Sequence, residues 1–289
     1  MNEQRYLVVG FQGSGKTTFA AALWHLVDGN EVSTALVKGL HQGDYRYLEE
    51  MAQLWGEGWE VDRTKTQQVE YISINLRDPK SGTDFTLEFT DLSGESFERA
   101  FAERLCSPKL VDLVREASGI LLFVSADRML DGVTILDALG SEDSDSAAED
   151  DGAEKTPWKA TETPLQVQIV DLLEAFKRPP FSAKPFKIAV IISAWDLTDE
   201  SSPDIWLQKR MSLLDQYIHS KDGARDVRIH GVSAQGGRLS KKGAPPGPDR
   251  DKLLSMLPPS ERIQIVAENA KAHDLTAPIL WLSGLEEGA

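Results

Sequence analysis

The chain has 289 residues, 41% of them hydrophobic, with 31 Lys and Arg against 46 Asp and Glu and a formal net charge of −15. That length allows one large or two small domains with a real core, and the charge argues against a nucleic-acid binder or a polybasic membrane-surface protein. The single cysteine, Cys106, excludes an internal disulfide framework and a cysteine-cluster metal site, and it fits a reducing compartment.

Neither a signal-peptide core nor a run of about 18 apolar residues is found, so no membrane span and a cytoplasmic location are expected. Arg5–Val9 reads as the first strand. It runs into Gly10-Phe11-Gln12-Gly13-Ser14-Gly15-Lys16-Thr17, a full match to G-x-x-x-x-G-K-[ST]. Glycines let such a backbone turn tightly and aim its N–H groups at phosphate oxygens. The helix that follows, Lys16–Leu26, presents its positive end to the same anion. Lys16 would reach the β and γ phosphates, and the Thr17 hydroxyl would ligate Mg²⁺. An ordinary glycine-rich loop is the plainer alternative. The flanking strand and helix are the context the phosphate motif requires.

Tyr45–Leu54 reads as a helix, broken by Gly56–Gly58. Val69–Leu76 and Asp84–Phe89 alternate apolar and polar residues around the turn chemistry of Asp78–Gly82, which predicts an antiparallel hairpin. Asp91 follows the second of these strands, where a P-loop protein needs an acid to hold Mg²⁺ through its water shell. Asp91-Leu92-Ser93-Gly94 has the form D-x-x-G, and the Gly94 N–H can meet a γ-phosphate and release it after hydrolysis. Capping of the next turn is the simpler role for Asp91. Glu95 either orients the attacking water or is a first-turn acid favoured by the helix dipole. Helices are predicted from Ser96 and over Lys109–Glu116, then a strand over Ile120–Ser125, apolar through Val124 as a strand covered on both faces should be.

Ser141–Glu154 holds seven acids, no base and almost no apolar side chain, so a disordered insert is expected at about 141–160. Leu165–Phe176 is a predicted helix, Lys187–Ser193 a strand, Pro203–His219 a helix and Val227–Val232 a strand. Gly236–Arg250 is a Gly/Pro-rich loop with local positive charge. A helical extension is expected over about 255–289, with helices at Pro259–Ala272 and Ala277–Leu285. Strands alternating with helices imply an α/β fold, a mostly parallel sheet with helices on both faces and one antiparallel edge strand.

Two loops after strands carry base-reading chemistry. Guanine offers two donors on its Watson–Crick edge, and one carboxylate accepts both. Asp196, in Ser193-Ala194-Trp195-Asp196, is placed to do so. Ser233-Ala234 would bring a backbone N–H to the guanine carbonyl. Capping polar residues in two ordinary loops are the alternative.

With these elements in this order, the chain resembles a Ras-like P-loop GTPase of the translation-factor-related (TRAFAC) class, over roughly Arg5–Ala234. The resemblance implies a single domain over 1–289 with the three-layer P-loop NTPase fold and GTP or GDP bound with Mg²⁺. It implies nucleotide contacts from Gly10, Gly13, Ser14, Gly15, Lys16, Thr17, Thr18, Ser193, Asp196, Ser233 and Ala234, and metal contacts from Thr17, Thr66 and Asp91. Lys16, Gly94 and Glu95 would act in hydrolysis. The base motifs depart from the family's Asn-Lys-x-Asp, because Ser193 and Ala194 replace Asn and Lys. The lysine stem that would stack on the base is absent, leaving Trp195 or another residue to cover it.

Arg63-Thr64-Lys65-Thr66 is similar to the Arg-x-x-Thr stretch of heterotrimeric G-protein alpha subunits. That likeness makes Thr66 a switch threonine, with Thr64 its competitor, and makes Arg63 an arginine finger supplied in cis. An incidental arginine in a polar loop is the alternative. The insert before Leu165, the helix after it and the Ser-Ala-Trp-Asp form also resemble bacterial double-GTPase proteins of conflict and anti-phage systems. That likeness implies a second GTPase or another protein effector as partner.

The expected function is a GTP-hydrolysing switch. An ATPase or small-molecule kinase is one competitor, with Gly236–Arg250 as a possible lid by charge alone. A nucleotide-bound assembly module with little turnover is the other, kept open by Glu95 where a Gln is common.

Overall fold

The computed structural model describes residues 3–40, 45–61, 71–90, 95–127, 162–267 and 270–285. Its centre is a run of apolar strands in which successive side chains serve opposite faces. In β1 (Gln4–Val9), Tyr6 and Val8 enter one core cluster, while Leu7 and Val9 enter the other. In β5 (Gly119–Ser125) and β6 (Lys187–Ser193) every position but the first of β6 is buried. Strands covered on both faces belong to a three-layer α/β fold, and that is the fold observed.

One face carries α1 (Lys16–Gly29), α2 (Arg46–Gly56) and α9 (Ala277–Ser283). The other carries α3 (Glu95–Glu103), α4 (Pro108–Glu116), α5 (Leu165–Lys177), α6 (Pro203–Arg210) and α7 (Ser212–Ile218). The sheet has nine strands, adding β2 (Val37–Lys38), β3 (Ile72–Arg77), β4 (Asp84–Phe89), β7 (Asp226–Ser233), β8 (Gln264–Ala267) and β9 (Ala270–Ala272). Their order is β2-β3-β4-β1-β5-β6-β7-β8-β9. The middle five, β4 to β7, pair in parallel. The predicted hairpin is β3 with β4, antiparallel with Ile74 opposite Leu87. One short helix, α8 (Arg250–Leu254), lies outside both layers of long helices.

Two predicted elements differ. The helix predicted over Pro203–His219 is interrupted at Met211, whose φ of −135° and ψ of 53° lie outside the helical region. The helix predicted over Pro259–Ala272, and with it the wholly helical reading of the 255–289 extension, is replaced. A 3₁₀ turn at Pro259–Arg262 leads into β8 and β9, which add a second antiparallel edge beyond β7. The physical reason is pairing and period. Ile265 packs in one core cluster and its neighbour Val266 in the other, a two-residue alternation that a helix cannot make. Local helix formers such as Glu261, Arg262 and Gln264 are overridden by tertiary pairing with β7. The acidic insert expected at 141–160 lies outside the described residues. Among the described residues no helix is long and apolar enough to cross a membrane.

Candidate functional site

The motif loop lies between β1 and α1, at the C-terminal ends of the parallel strands. Gly13 and Gly15 take positive φ, 73° and 90°. At Gly10 an added Cβ would sit 2.6 Å from the Ser14 hydroxyl and 2.9 Å from the Cβ of Phe123. The glycines are therefore demanded by backbone conformation at two positions and by crowding at a third. Lys16 is 2% exposed. Its ammonium donates to Gly10 O at 2.6 Å, Phe11 O at 3.0 Å and Ser14 Oγ at 3.3 Å, which pins the loop into a ring around the cation. The N-cap position of α1 is Gly15, whose lack of a side chain leaves the start of the helix without a side-chain cap.

A cleft of about 550 Å³ opens over this loop, lined by Gln12 through Phe19. That volume lies in the range of small-molecule sites. Ser193, Ala194, Asp196 and Ala234 line the same cleft from the ends of β6 and β7. The fold thus brings Gly13, Ser14, Gly15, Lys16, Thr17, Thr18, Ser193, Asp196 and Ala234 to the lining of one cleft. Gly10 supports it from beneath. Buried Ser233 accepts from the Gly236 N–H at 3.0 Å, shaping the turn after β7.

Ser193 has a structural task of its own. Its hydroxyl donates to Ser14 O at 2.8 Å, and an added Cβ at Gly15 would lie 2.6 Å from it. The end of β6 is therefore tied to the motif loop by a hydrogen bond and a tight packing contact. Ala194 takes φ 53° and ψ 39°, turning the chain so that Asp196 faces the cleft while Trp195 turns inward. Trp195 is buried against Gly231, where an added Cβ would meet the ring at 2.4 Å. It belongs to the core below, so Trp195 does not cover a base. Leu197 is the large apolar residue of this loop among those lining the cleft.

A family model, Double-GTPase 1, matches residues 7–282. The chain belongs to the Double-GTPase 1 family. A search of curated proteins finds no match. Among solved structures, the chain is similar to the GTP-bound GTPase-like domain of Saccharomyces cerevisiae Ski7 at 14% identity and TM-score 0.43, covering 84% of this chain and 45% of that one. It is also similar to a bacterial selenocysteine-specific elongation factor, EF-Sec, at 13% identity and TM-score 0.39, covering 82% and 27%. The Trypanosoma brucei small GTPase Arl6 matches at 10% identity and TM-score 0.34, covering 81% and 88%. The chain spans about a quarter of the elongation factor and under half of the Ski7 chain.

In this Double-GTPase 1 chain the cleft has walls that the motifs alone do not reveal. Glu60 and Val61, just after α2, line one side, and Asp127, just after β5, lines another. The Gly236–Arg250 loop supplies Gly237, Arg238, Leu239 and Lys241. Arg238 donates to Asp127 Oδ1 at 2.9 Å across the rim. The loop's basic composition was the available signal for it. Nothing in the sequence around Glu60 or Asp127 marks either. Gln12 N–H donates to Glu98 Oε1 of α3 at 3.2 Å, so α3 touches the motif loop directly. Glu95 is the first residue of α3. Arg63, Thr64, Thr66, Asp91 and Gly94 lie outside the described residues.

Proposed function

We propose that the cleft binds a guanine nucleotide with Mg²⁺ and that the chain hydrolyses GTP as a switch. The observation that carries this reading is the convergence of the Lys16-pinned loop, Asp196 and Ala234 on one cleft. The loop N–H groups and the α1 terminus take the phosphates. Lys16 already sits inside the loop and offers charge to the β and γ oxygens. Asp196 accepts from the two guanine donors, and the Ala234 N–H meets the carbonyl. Leu197 supplies an apolar surface for the base in place of the missing lysine stem. Oxygen donors suit magnesium, and Thr17, lining the phosphate end, fits that donor set with Asp91 and Thr66 as its expected companions. Bound there, the ion neutralises charge developing on the phosphates. Arg63 adds charge stabilisation in cis, and Glu95 accepts a hydrogen bond from the attacking water. The nucleotide state then controls a protein partner. A second GTPase is the first candidate, and bacterial defence is the setting that the likeness to conflict-system proteins suggests.

Single-turnover GTP hydrolysis tests the catalytic part. Wild type should release phosphate, and Arg63→Ala should slow release by about 10³-fold or more. GTP binding without any hydrolysis by wild type would contradict it. That outcome would favour a second reading, an assembly module with little turnover. Its supporting observation is Glu95 at the first position of α3, where the dipole alone accounts for an acid.

A further inference from the structure

The base-recognition turn is held from a direction no nucleotide motif predicts. Trp55, in the last turn of α2, is 1% exposed. Its indole N–H donates to the Ala234 carbonyl at 2.9 Å, a buried bond between residues 179 apart in sequence. The ring cannot drift, because it is packed on two sides. The imidazole of His25 lies at 4.8 Å between ring centroids, and the Arg262 guanidinium lies over the indole at 5.6 Å. Arg262 also donates to Trp55 O at 3.3 Å and to Gly56 O.

The chain leaving Trp55 is fastened to the same turn's continuation. The Glu60 N–H donates to Ser240 O at 2.9 Å. Arg250 donates to Gly58 O at 3.1 Å and Glu57 O at 3.0 Å, and its guanidinium covers the Trp59 ring at 4.1 Å. Lys242 pairs with Glu57 at 2.8 Å. Two segments that both line the cleft, Glu60–Val61 and Gly237–Lys241, are thus laced together, with Trp55 at the root.

We propose that Trp55 is a positioning residue for base selection. The indole N–H holds the carbonyl of the Ala234–Gln235 peptide and so fixes the ψ angle of Ala234. This keeps the turn in the shape that presents the Ala234 N–H of the preceding peptide to the base carbonyl, and α2 with residues 56–61 forms the backing of that turn. This rests on the guanine reading of the cleft. Removing the donor leaves a buried carbonyl unpaired, and the peptide turns to find another partner. The consequence falls on the contact to the 6-position of the base and leaves the phosphate contacts alone.

The test compares GDP with 6-thio-GDP, which changes only the acceptor at that position, by titration calorimetry on the full chain. Wild type should prefer GDP. Trp55→Phe keeps the packed ring without the N–H and should lose about tenfold in GDP affinity, with the preference over 6-thio-GDP falling towards one. Trp55→His, which restores a ring N–H, should recover part of that preference. Should Trp55→Phe fail to fold, Arg250→Ala loosens residues 57 and 58 from the partly exposed side and should reduce the preference by about threefold. A preference unchanged in the folded variants, or both ligands weakened by one common factor, overturns the role of Trp55. Wild type that binds GDP and 6-thio-GDP equally overturns the carbonyl contact of Ala234 and this inference with it. Wild type that binds no GDP overturns the guanine reading itself.

Discussion

At Gly15 a Cβ would sit 2.6 Å from both the Cβ and the hydroxyl of Ser193, and the backbone φ is 90°. Gly15→Ala therefore meets strain and a clash together, and should lower stability by about 2 kcal/mol in a thermal melt. An unchanged melting temperature would show that β6 and the motif loop are not in contact. Lys16 differs in kind, because its charge is spent on loop carbonyls until phosphate arrives. Lys16→Ala should weaken GTP binding by about 100-fold through lost charge-assisted bonds, measured by fluorescent-nucleotide titration. His230 supplies a pH dependence. It is buried in β7 with neither ring nitrogen hydrogen-bonded among the described residues. Burial, with Arg228 nearby adding repulsion, lowers its pKa from 6.5 to about 3. Between those values the unfolded chain binds the proton and the folded chain does not, so stability falls as pH drops, by at most about 1.4 kcal/mol per pH unit. His230→Leu should flatten the acid limb of stability against pH over that window. An acid limb identical to wild type would contradict the assignment.

Among the elements, the turn after β6 shows how packing beneath a site sets its surface. Trp195 is buried against Gly231 of β7, and the left-handed Ala194 lets the next residue but one face the cleft. Gly231→Ala would press a methyl into the indole, with no flexible chain end to yield. It should cost about 2 kcal/mol and displace Asp196, so guanine affinity falls together with stability. A variant that melts lower yet binds GDP as wild type does would show that the turn is insulated from β7. The central strands were legible for a simple reason. Ile120–Val124 and Ile188–Ile192 are unbroken apolar runs of strand length, as strands covered on both faces need. β8 and β9 were not legible, because Glu, Gln, Arg and Ala favour a helix locally and only pairing with β7 decides otherwise. The break at Met211 had no glycine or proline to mark it.

Across the whole molecule, the same contrast governs the site. The motif loop was readable because the phosphate chemistry proposed for it demands glycines and a lysine at fixed spacing. The proposed base end was readable only in part: Asp196 and Ala234 reach the cleft, but Trp195 turns into the core. The rim was hidden. Glu60, Asp127 and Arg238 come from three distant segments, and only the folded sheet brings them around one opening, with Trp55 buried behind it. The charge of −15 does not oppose an anionic ligand, because Lys16, loop amides and a basic loop set the field at the cleft. If GDP binds only the folded chain, GDP at 100 times its Kd should stabilise the fold by about 2.7 kcal/mol, read as a rise in melting temperature. The central claim, a guanine site read by Asp196, is tested most directly by titrating fluorescent GDP and ADP into wild type and Asp196→Asn. The account predicts that wild type binds GDP far more tightly than ADP and that the variant loses most of that difference. Equal binding of ADP and GDP by wild type, or a variant that keeps the full guanine preference, would contradict it.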